Sequence, residues 1–229
     1  MIKDVSYYTN LHLPTYFPTN TPLCINCSVE ESTVGERTNA TGGLLPHDLF
    51  IRDNCTAEDV VVLSVGGNDV ALKPTAGTIA AIFALTRTPL WALKMLGRWS
   101  PGFGYMERLL HGEVERMVAR LCEAPTPPAR VIVCMIYFLD EMPGGSWADD
   151  VLGKLGYDTN PDKLQYIIRT LYSRISSLGF AVPSATTVTP FPLFEVLDGK
   201  DTDDYEQRVE PSMQGGEKMA KAFLELLSR

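Results

Sequence analysis

Alternating runs of apolar and mixed positions along the chain predict strands and helices that follow one another. Two runs, over residues 60–65 and 130–139, are apolar at nearly every position, which is typical of strands covered on both faces in a parallel sheet. Between them, apolar residues recur at helical spacing over 105–123, before a proline-rich turn at 125–128. A strand, a helix and a strand in this order predict an α/β fold with a doubly wound parallel sheet.

The pattern elsewhere predicts fewer regular elements. We predict a short strand over 23–29, an amphipathic helix over 161–178, a last strand over 180–189 and a final helix over 217–227. A polar loop over 140–158 follows a strand, where sheets of this kind bind ligands. The first 23 residues contain no β-branched run that could form a strand.

The most apolar long stretch of the chain is 76–96, and 76–99 is apolar on nearly every face of a predicted helix. Arg87, Pro89 and Lys94 interrupt it, so we predict no membrane span. Because the stretch follows a strand, it could form an acyl pocket or a lid at a site. A core helix and a contact surface for a protein partner are the other interpretations.

Composition narrows the class of protein. The chain has 229 residues, of which 45% are hydrophobic, and this predicts a single domain over 1–229. Its net charge of −8, without a basic run, argues against a nucleic-acid partner. Five cysteines cannot all pair, which favours a reduced intracellular compartment, the cytoplasm in particular. Cys24 and Cys27 have redox or zinc spacing without a second pair, so we predict two small core residues, no metal and no cofactor.

The first predicted strand runs into Gly66-Gly67-Asn68-Asp69. Two glycines allow backbone angles that are closed to other residues and let a ligand approach the main chain. The amide of Asn68 can donate hydrogen bonds. Gly67 and Asn68 at the carboxyl end of a strand therefore predict an oxyanion site.

These four residues after a valine-rich strand resemble the third signature block of the GDSL/SGNH hydrolases, a superfamily of esterases and lipases. The resemblance implies a flavodoxin-like three-layer α/β sandwich with a central parallel sheet. It also implies that Asn68 donates a hydrogen bond to the oxyanion of a tetrahedral intermediate. The alternative is an ordinary strand-to-helix turn in which Asn68 caps the helix.

The second block of the family, which usually offers a glycine backbone amide to the oxyanion, is matched only in part. Aligning Asn26 to Thr33 with that block puts Glu31 where the glycine is expected. A backbone amide is still available at Glu31, but a carboxylate beside an oxyanion would oppose the developing charge.

The last block resembles Asp-x-x-His-Pro before a glycine and a final helix. Pro211 and the pair Gly215-Gly216 fit, whereas Gln207 and Glu210 stand where the resemblance implies the aspartate and the histidine. A solvated glutamate has a pKa near 4.3 and is a weaker base than histidine at neutral pH. We predict that Glu210 is either a catalytic base or a carboxylate that caps the final helix.

The family's first block is a strand that ends in Gly-Asp-Ser, and this chain contains neither. We expect that the first strand is missing, that the recorded start is internal, and that residues 1–6 form the turn into the first helix. Ser6, two residues after Asp4, is the alternative nucleophile. A surface or helix-capping role for Ser6, or a fold with no nucleophile, is also open.

Two functions follow from this resemblance. One is a hydrolase of the GDSL/SGNH type, impaired as the chain stands, that acts on a small-molecule acyl or acetyl ester through Ser6 or an upstream serine, with Asn68, Gly67 and Glu210. The other is a pseudoenzyme that keeps the same fold as a binding or assembly module.

Overall fold

A computed structural model describes residues 3–20, 22–38, 43–183 and 185–229 of the chain. The α-helices in this part of the chain are Val5–Tyr16 (α1), Gly35–Thr38 (α2), Pro46–Asn54 (α3), Gly67–Ala71 (α4), Ala76–Arg87 (α5), Leu90–Leu96 (α6), Phe103–Glu107 (α7), Val114–Leu121 (α8), Asp149–Lys154 (α9), Pro161–Leu178 (α10) and Met213–Leu227 (α11). The strands are Val60–Ser64 (β1), Arg130–Met135 (β2), Thr187–Pro192 (β3), Tyr205–Glu206 (β4) and Glu210–Pro211 (β5).

The central sheet is parallel and has the strand order β1-β2-β3. Val60 lies opposite Arg130, and Ser64 lies opposite Cys134. Helices flank this sheet, so the predicted α/β class with a central parallel sheet is confirmed. Strands β4 and β5 form a separate antiparallel pair.

The chain divides into two compact units, each built from separated segments. We call one the sheet unit, which comprises Cys27–Ile136 and Asp162–Phe191, and the other the terminal unit, which comprises Met1–Asn26, Tyr137–Pro161 and Pro192–Arg229. The single domain expected for residues 1–229 stays a prediction.

The core of the sheet unit lies between β1, β2 and helix α8. Val61 and Leu63 of β1 and Val131 and Val133 of β2 pack against the apolar side of α8. That helix supplies Val114, Met117, Val118 and Leu121. The predicted helix over 105–123 is therefore present, although Arg108–Glu113 forms a turn of π-helix within it.

The two predicted strands of this sheet differ in burial. Five of the six residues of β2 are buried on alternating faces, as expected for a covered parallel strand. In β1, by contrast, Val60 and Val62 are 38% and 40% exposed. The prediction that this strand is covered on both faces is therefore wrong, because only the face with Val61 and Leu63 is packed in the core and the face with Val60 and Val62 is open to solvent. In the described sheet β1 has only β2 as a neighbour and lies at the edge.

In the terminal unit, the first and last helices pack together. Leu13 of α1 is buried, as are Met219, Phe223 and Leu224 of α11. His12 contacts the Glu217 carboxylate at 2.9 Å between the same two helices. Asp4 accepts a hydrogen bond from the Tyr7 amide and caps α1, while residues 1 and 2 of the predicted turn lie outside the described part of the chain.

Two predicted elements at the chain ends differ from the structure. The described residues of 23–29 form no strand, since the side-chain amide of Asn10 bonds both the N–H and the carbonyl of Cys24, and Leu23 and Ile25 are exposed. The final helix begins at Met213, four residues before the predicted start, because Ser212 accepts a hydrogen bond from the Gly215 N–H and caps it.

The other differences lie after β2. That strand ends at Met135, before the predicted limit at residue 139, and β3 begins at Thr187 instead of 180. The Thr187 N–H donates to the Ala129 carbonyl, which fixes where β3 starts beside β2. The predicted loop over 140–158 contains the short helix α9.

Candidate functional site

The glycine-rich turn after β1 is built as an abrupt change from strand to helix. Gly66 has a φ of 95°, a left-handed conformation that glycine adopts without steric cost. A Cβ at this position would lie 2.7 Å from Cδ2 of Leu110, so a larger residue would have to displace the Leu110 side chain in addition to adopting this φ. Helix α4 begins directly afterwards, at Gly67, which is exposed and has open space around its Cα.

The side chain of Asn68 points from α4 towards the segment before α2. Its Nδ2 donates a hydrogen bond to the carbonyl oxygen of Ser32 at 3.0 Å, and the side chain is half-buried. Gly66, not Asn68, is the N-cap of α4, so the interpretation of Asn68 as the cap of this helix is wrong. Since a side-chain amide has two N–H donors, the contact with Ser32 orients the group and leaves a second donor for a ligand.

Asp69 binds the same segment, residues 32–35, through its carboxylate. Its buried carboxylate accepts hydrogen bonds from the N–H groups of Val34, at 2.9 Å, and Gly35, at 3.0 Å. A carboxylate that accepts two backbone N–H bonds is strongly held. The pair Asn68-Asp69 therefore ties the start of α4 to residues 32–35 through three hydrogen bonds.

A buried ion pair also contacts this segment. Arg37 contacts Asp48 through Nε at 2.7 Å and through Nη2 at 3.2 Å, and both side chains are 3% exposed. Nη1 of Arg37 also donates to the Thr33 carbonyl at 2.6 Å. The Nε2 atom of His47, 2.7 Å from Nη2 of Arg37, accepts a further hydrogen bond, because a guanidinium can only donate.

The sequence pattern does not predict this pair. Arg37 and Asp48 lie eleven positions apart in an irregular region, and no motif marks them. The Arg37-Asp48 pair holds the backbone on which the Ser32 carbonyl depends. Its contribution to the candidate site is to position other groups.

Glu31, which the alignment put in the place of a glycine, has a φ of 59°. Residues other than glycine seldom adopt this left-handed conformation. The backbone at residue 31 thus has the shape that a glycine would adopt, and the residue after it is the one that Asn68 contacts.

Ser6 lies in the first turn of α1. Its hydroxyl donates a hydrogen bond to Oδ1 of Asp4 at 2.8 Å. Burial opposes ionisation of Asp4, but hydrogen bonds from Tyr7, Ser6 and Asn26 outweigh it and hold the pKa of this carboxyl below its ordinary value. A carboxylate with a lowered pKa is a weak base, so Asp4 orients the Ser6 hydroxyl without activating it.

Glu210 lies on β5, opposite Glu206 of β4, and its side chain is exposed. The residues between these strands include Gln207 and Arg208, with φ values of 51° and 65°. Residues other than glycine that adopt this left-handed backbone conformation store strain of order 1–3 kcal/mol each, and here two such residues are consecutive. The helix-cap interpretation of Glu210 is wrong, because Ser212 caps α11.

Arg208 holds the strained hairpin in place. Its guanidinium is 3% exposed and contacts Asp149 at 2.8 Å and Asp158 at 2.9 Å, and it also donates to the Asp140 carbonyl. The hydrogen bond from Arg208 holds the pKa of Asp149 below its usual range. Nothing in the sequence pattern distinguishes Arg208 from a surface arginine, so this role was not predicted.

Two further contacts fix the hairpin that carries Glu210. The hydroxyl of Tyr137 donates to the carbonyl of Val209 at 2.7 Å. Burial, with a smaller contribution from the charge of Glu210, raises the pKa of the Tyr137 phenol. Ser146, from the predicted loop, donates to the carbonyl of Gln207 at 2.6 Å. Gln207 thus supports the hairpin through its backbone and does not pair with Glu210 in the described structure.

Two cavities in the described part of the chain have no predicted site residue in their lining. One, of about 430 Å³, lies in the terminal unit and is lined by Glu195, Asp198, Asp201, Asp204, Lys200 and Lys218 among others. A second, of about 330 Å³, lies in the sheet unit between α3 and α8. Neither is lined by Ser6, Gly67, Asn68 or Glu210. The five cysteines, all of them in the described part of the chain, form no disulfide, and the described residues contain no group of three or more side chains that could hold a metal ion.

The fold and the glycine-rich turn define an α/β protein with a parallel sheet flanked by helices. No family model matches the chain, and no curated protein matches it at a significant level. Among solved structures, it is similar to Est24, a carbohydrate acetylesterase from Sinorhizobium meliloti, with 14% identity and a TM-score of 0.47. The match covers 99% of this chain and 85% of that chain. A likeness at this level does not show what this chain does.

Proposed function

We propose that this chain is an ester hydrolase of the GDSL/SGNH type in which Gly67 and Asn68 stabilise the oxyanion. The observation that supports this proposal is the anchored amide of Asn68. One of its N–H groups is committed to the Ser32 carbonyl, so the amide is oriented before a substrate binds. The open space at Gly67 lets a carbonyl oxygen approach the backbone of α4.

The proposed chemistry is acyl transfer to a hydroxyl nucleophile. The nucleophile oxygen forms a bond to the ester carbon and gives its proton to the base, while the carbonyl oxygen takes up negative charge. The carbon–oxygen bond to the leaving group then breaks, and the base returns the proton to the departing alkoxide. Water hydrolyses the acyl intermediate by the same steps. One oxyanion donor contributes about two to three orders of magnitude to the rate.

Ser6 is the nucleophile and Glu210 the base within this proposal. We expect weak activity for two reasons. The Ser6 hydroxyl already donates to the Asp4 carboxylate, whose pKa is lowered, and the side chain of Glu210 is exposed, so water competes for its oxygen atoms. The strained hairpin supports a functional role for Glu210, because strain of this kind is concentrated at functional sites.

A binding or assembly module is the second candidate function. It is favoured by the surroundings of Ser6 and Glu210, since neither side chain forms a hydrogen bond with a histidine in the described part of the chain. A serine without such a base reacts slowly.

Hydrolysis of p-nitrophenyl acetate tests the proposal. We expect turnover above the buffer blank and a loss of about a hundredfold in Asn68→Ala. Asn54→Ala is the matched control, since Asn54 is an exposed asparagine on α3 whose amide bonds its own helix. Equal rates for all three proteins and the blank would refute the hydrolase and favour the module.

Covalent labelling then identifies the nucleophile independently. Diisopropyl fluorophosphate forms a stable phosphoester with an activated serine, and peptide mass mapping locates it. Label on the peptide that contains Ser6, together with its absence in Ser6→Ala and slower labelling in Glu210→Gln, supports both roles. Label on another serine would overturn the role of Ser6 while leaving the role of Asn68 to the hydrolysis assay.

A further inference from the structure

Helices α5 and α6 of the sheet unit form an apolar face that is exposed on this chain. We call it the α5–α6 face and define it by Ile79 and Phe83 of α5, Trp91 and Met95 of α6, and Trp99 of the turn that follows α6. Each of these side chains is more than half exposed, and Trp91 and Trp99 reach 68% and 75%. Several large apolar side chains exposed this close together along the chain are typical of an interaction site.

The core does not need these side chains. Helix α5 buries Thr78, Ala81 and Leu85, and α6 buries Ala92 and Leu93. The large apolar residues and Lys94 are exposed, so each helix has a buried side that packs on the core and an exposed side.

The described part of the chain contains no single helix that is long and apolar enough to cross a membrane. Together, Ala76–Arg87 and Leu90–Trp99 reach the required length and composition, but they are bent by 108° with respect to each other. The bend at Pro89 suits two helices that lie along a surface.

Charge distinguishes the α5–α6 face from the rest of the chain. The whole sequence has 28 acidic and 20 basic residues. The sequence between Asp69 and Glu107 has no acidic residue and four basic ones. Three of the four, Arg87, Lys94 and Arg98, lie within the segment 76–99 that carries the α5–α6 face. The Arg87 guanidinium lies over Phe83 at 4.7 Å, and that of Arg98 lies over Trp99 at 4.5 Å.

Exposed tryptophan and phenylalanine beside lysine and arginine are typical of segments that lie at the boundary between lipid headgroups and acyl chains. We propose that the α5–α6 face binds the surface of an anionic phospholipid bilayer. The apolar side chains enter the interface, while Arg87, Lys94 and Arg98 contact the headgroups. The proposal does not depend on ester hydrolysis.

The same charges disfavour a second copy of the chain as the occupant. A symmetric dimer brings the same surface of both subunits together, so the three cations of one copy would face those of the other. An anionic surface instead neutralises all of them. The contact with a protein partner that the sequence analysis left open is therefore an outcome that the test must separate.

Vesicle binding tests the proposal directly. The full chain is sedimented with vesicles of phosphatidylcholine alone and with vesicles rich in phosphatidylserine, whose surface potential is negative. Two of the three tryptophans lie on the α5–α6 face, so binding should also shift their fluorescence to shorter wavelength. We expect binding to the anionic vesicles, which weakens as salt is raised.

Two variants separate the apolar and the charged contributions. Removing the cations in Arg87→Gln/Lys94→Gln/Arg98→Gln should weaken anionic-vesicle binding by about a hundredfold, since each contributes about fivefold. Trp91→Ala/Trp99→Ala should abolish the fluorescence shift and weaken binding by at least about tenfold. Trp147→Ala and Lys154→Gln are the matched controls, because both residues are exposed and lie outside the face.

The outcomes are distinct. Loss of binding in both face variants but in neither control, with unchanged thermal melting, supports the proposal. Equal binding to neutral and anionic vesicles, or equal binding by all variants, overturns it. Absence of vesicle binding together with self-association that the tryptophan variant abolishes also overturns it, and assigns the face to contacts between copies of the chain.

Discussion

Substituting Arg37 by methionine should destabilise the sheet unit, because it removes the buried contacts of the guanidinium. Methionine keeps much of the length of the side chain but removes the charge and all of its donors. The Asp48 carboxylate then loses both of its contacts with the guanidinium, at 2.7 and 3.2 Å. The Thr33 carbonyl loses its donor at 2.6 Å.

The size of the effect follows from burial. Both side chains of the pair are 3% exposed, so water cannot replace the missing partner. Removing one member of a buried ion pair costs about 3–5 kcal/mol, because the remaining charge stays buried without its counterion. For a chain of this length that corresponds to a fall in Tm of about 6–20 °C.

Calorimetry of four proteins measures this: the unmodified chain, Arg37→Met, Asp48→Asn and the double variant Arg37→Met/Asp48→Leu. The double variant should recover much of the loss, since it leaves no buried charge unpaired. Arg52→Gln is the control, because its ion pair with Asp53 is solvent-exposed and should hardly affect Tm.

A Tm of Arg37→Met within about 2 °C of the unmodified chain would contradict this reasoning, as would a double variant less stable than both single ones. If the loss is found, the hydrolysis rate should fall as well. The Ser32 carbonyl, which orients Asn68, is next to the Thr33 carbonyl that Arg37 holds.

Three further predictions concern backbone conformation and pH. Gly66→Ala should lower the free energy of unfolding by more than about 1 kcal/mol in urea titrations, because Ala is strained at this φ and its Cβ meets Leu110. Glu31→Gly should be about 1 kcal/mol more stable than Glu31→Ala, since both remove the carboxylate and only glycine suits a φ of 59°. The folded pKa of Asp4 is lowered, so its stabilisation is present above about pH 4 and is lost as the pH falls through the folded pKa. The Tm measured by calorimetry should therefore fall less between pH 7 and pH 3 in Asp4→Asn than in the unmodified chain.

The elements that the sequence predicted well are those with strong periodicity. The helices over 105–123 and 161–178 and the strands over 60–65 and 130–139 follow from apolar spacing alone, because each buries one or both faces in a core. The second of these strands ends at Met135, four residues before the predicted limit. The predicted strand over 23–29 failed because a strand needs a neighbour. There the Asn10 side chain takes up the backbone groups of Cys24, and no pattern signals that contact.

The candidate site divides along the same line. Gly66, Gly67 and Asn68 could be found from sequence, since a strand followed by two glycines and an amide restricts what the backbone can do. Arg37 and Arg208 could not, because a buried arginine and an exposed one have the same sequence signature. What distinguishes them is which carboxylates the fold brings within 3 Å of each guanidinium.

The sequence by itself determined the α/β class, the parallel pairing of its two most apolar strands and the turn at Asn68, because apolar spacing and glycine act over a few residues. Only the tertiary structure decided that β1 is an edge strand, that the Ser6 hydroxyl donates to Asp4, and that Glu210 extends from a strained hairpin. Each of these depends on groups that are brought together by folding. Such contacts depend on the packing of residues that are distant in sequence, and a local sequence pattern does not predict them.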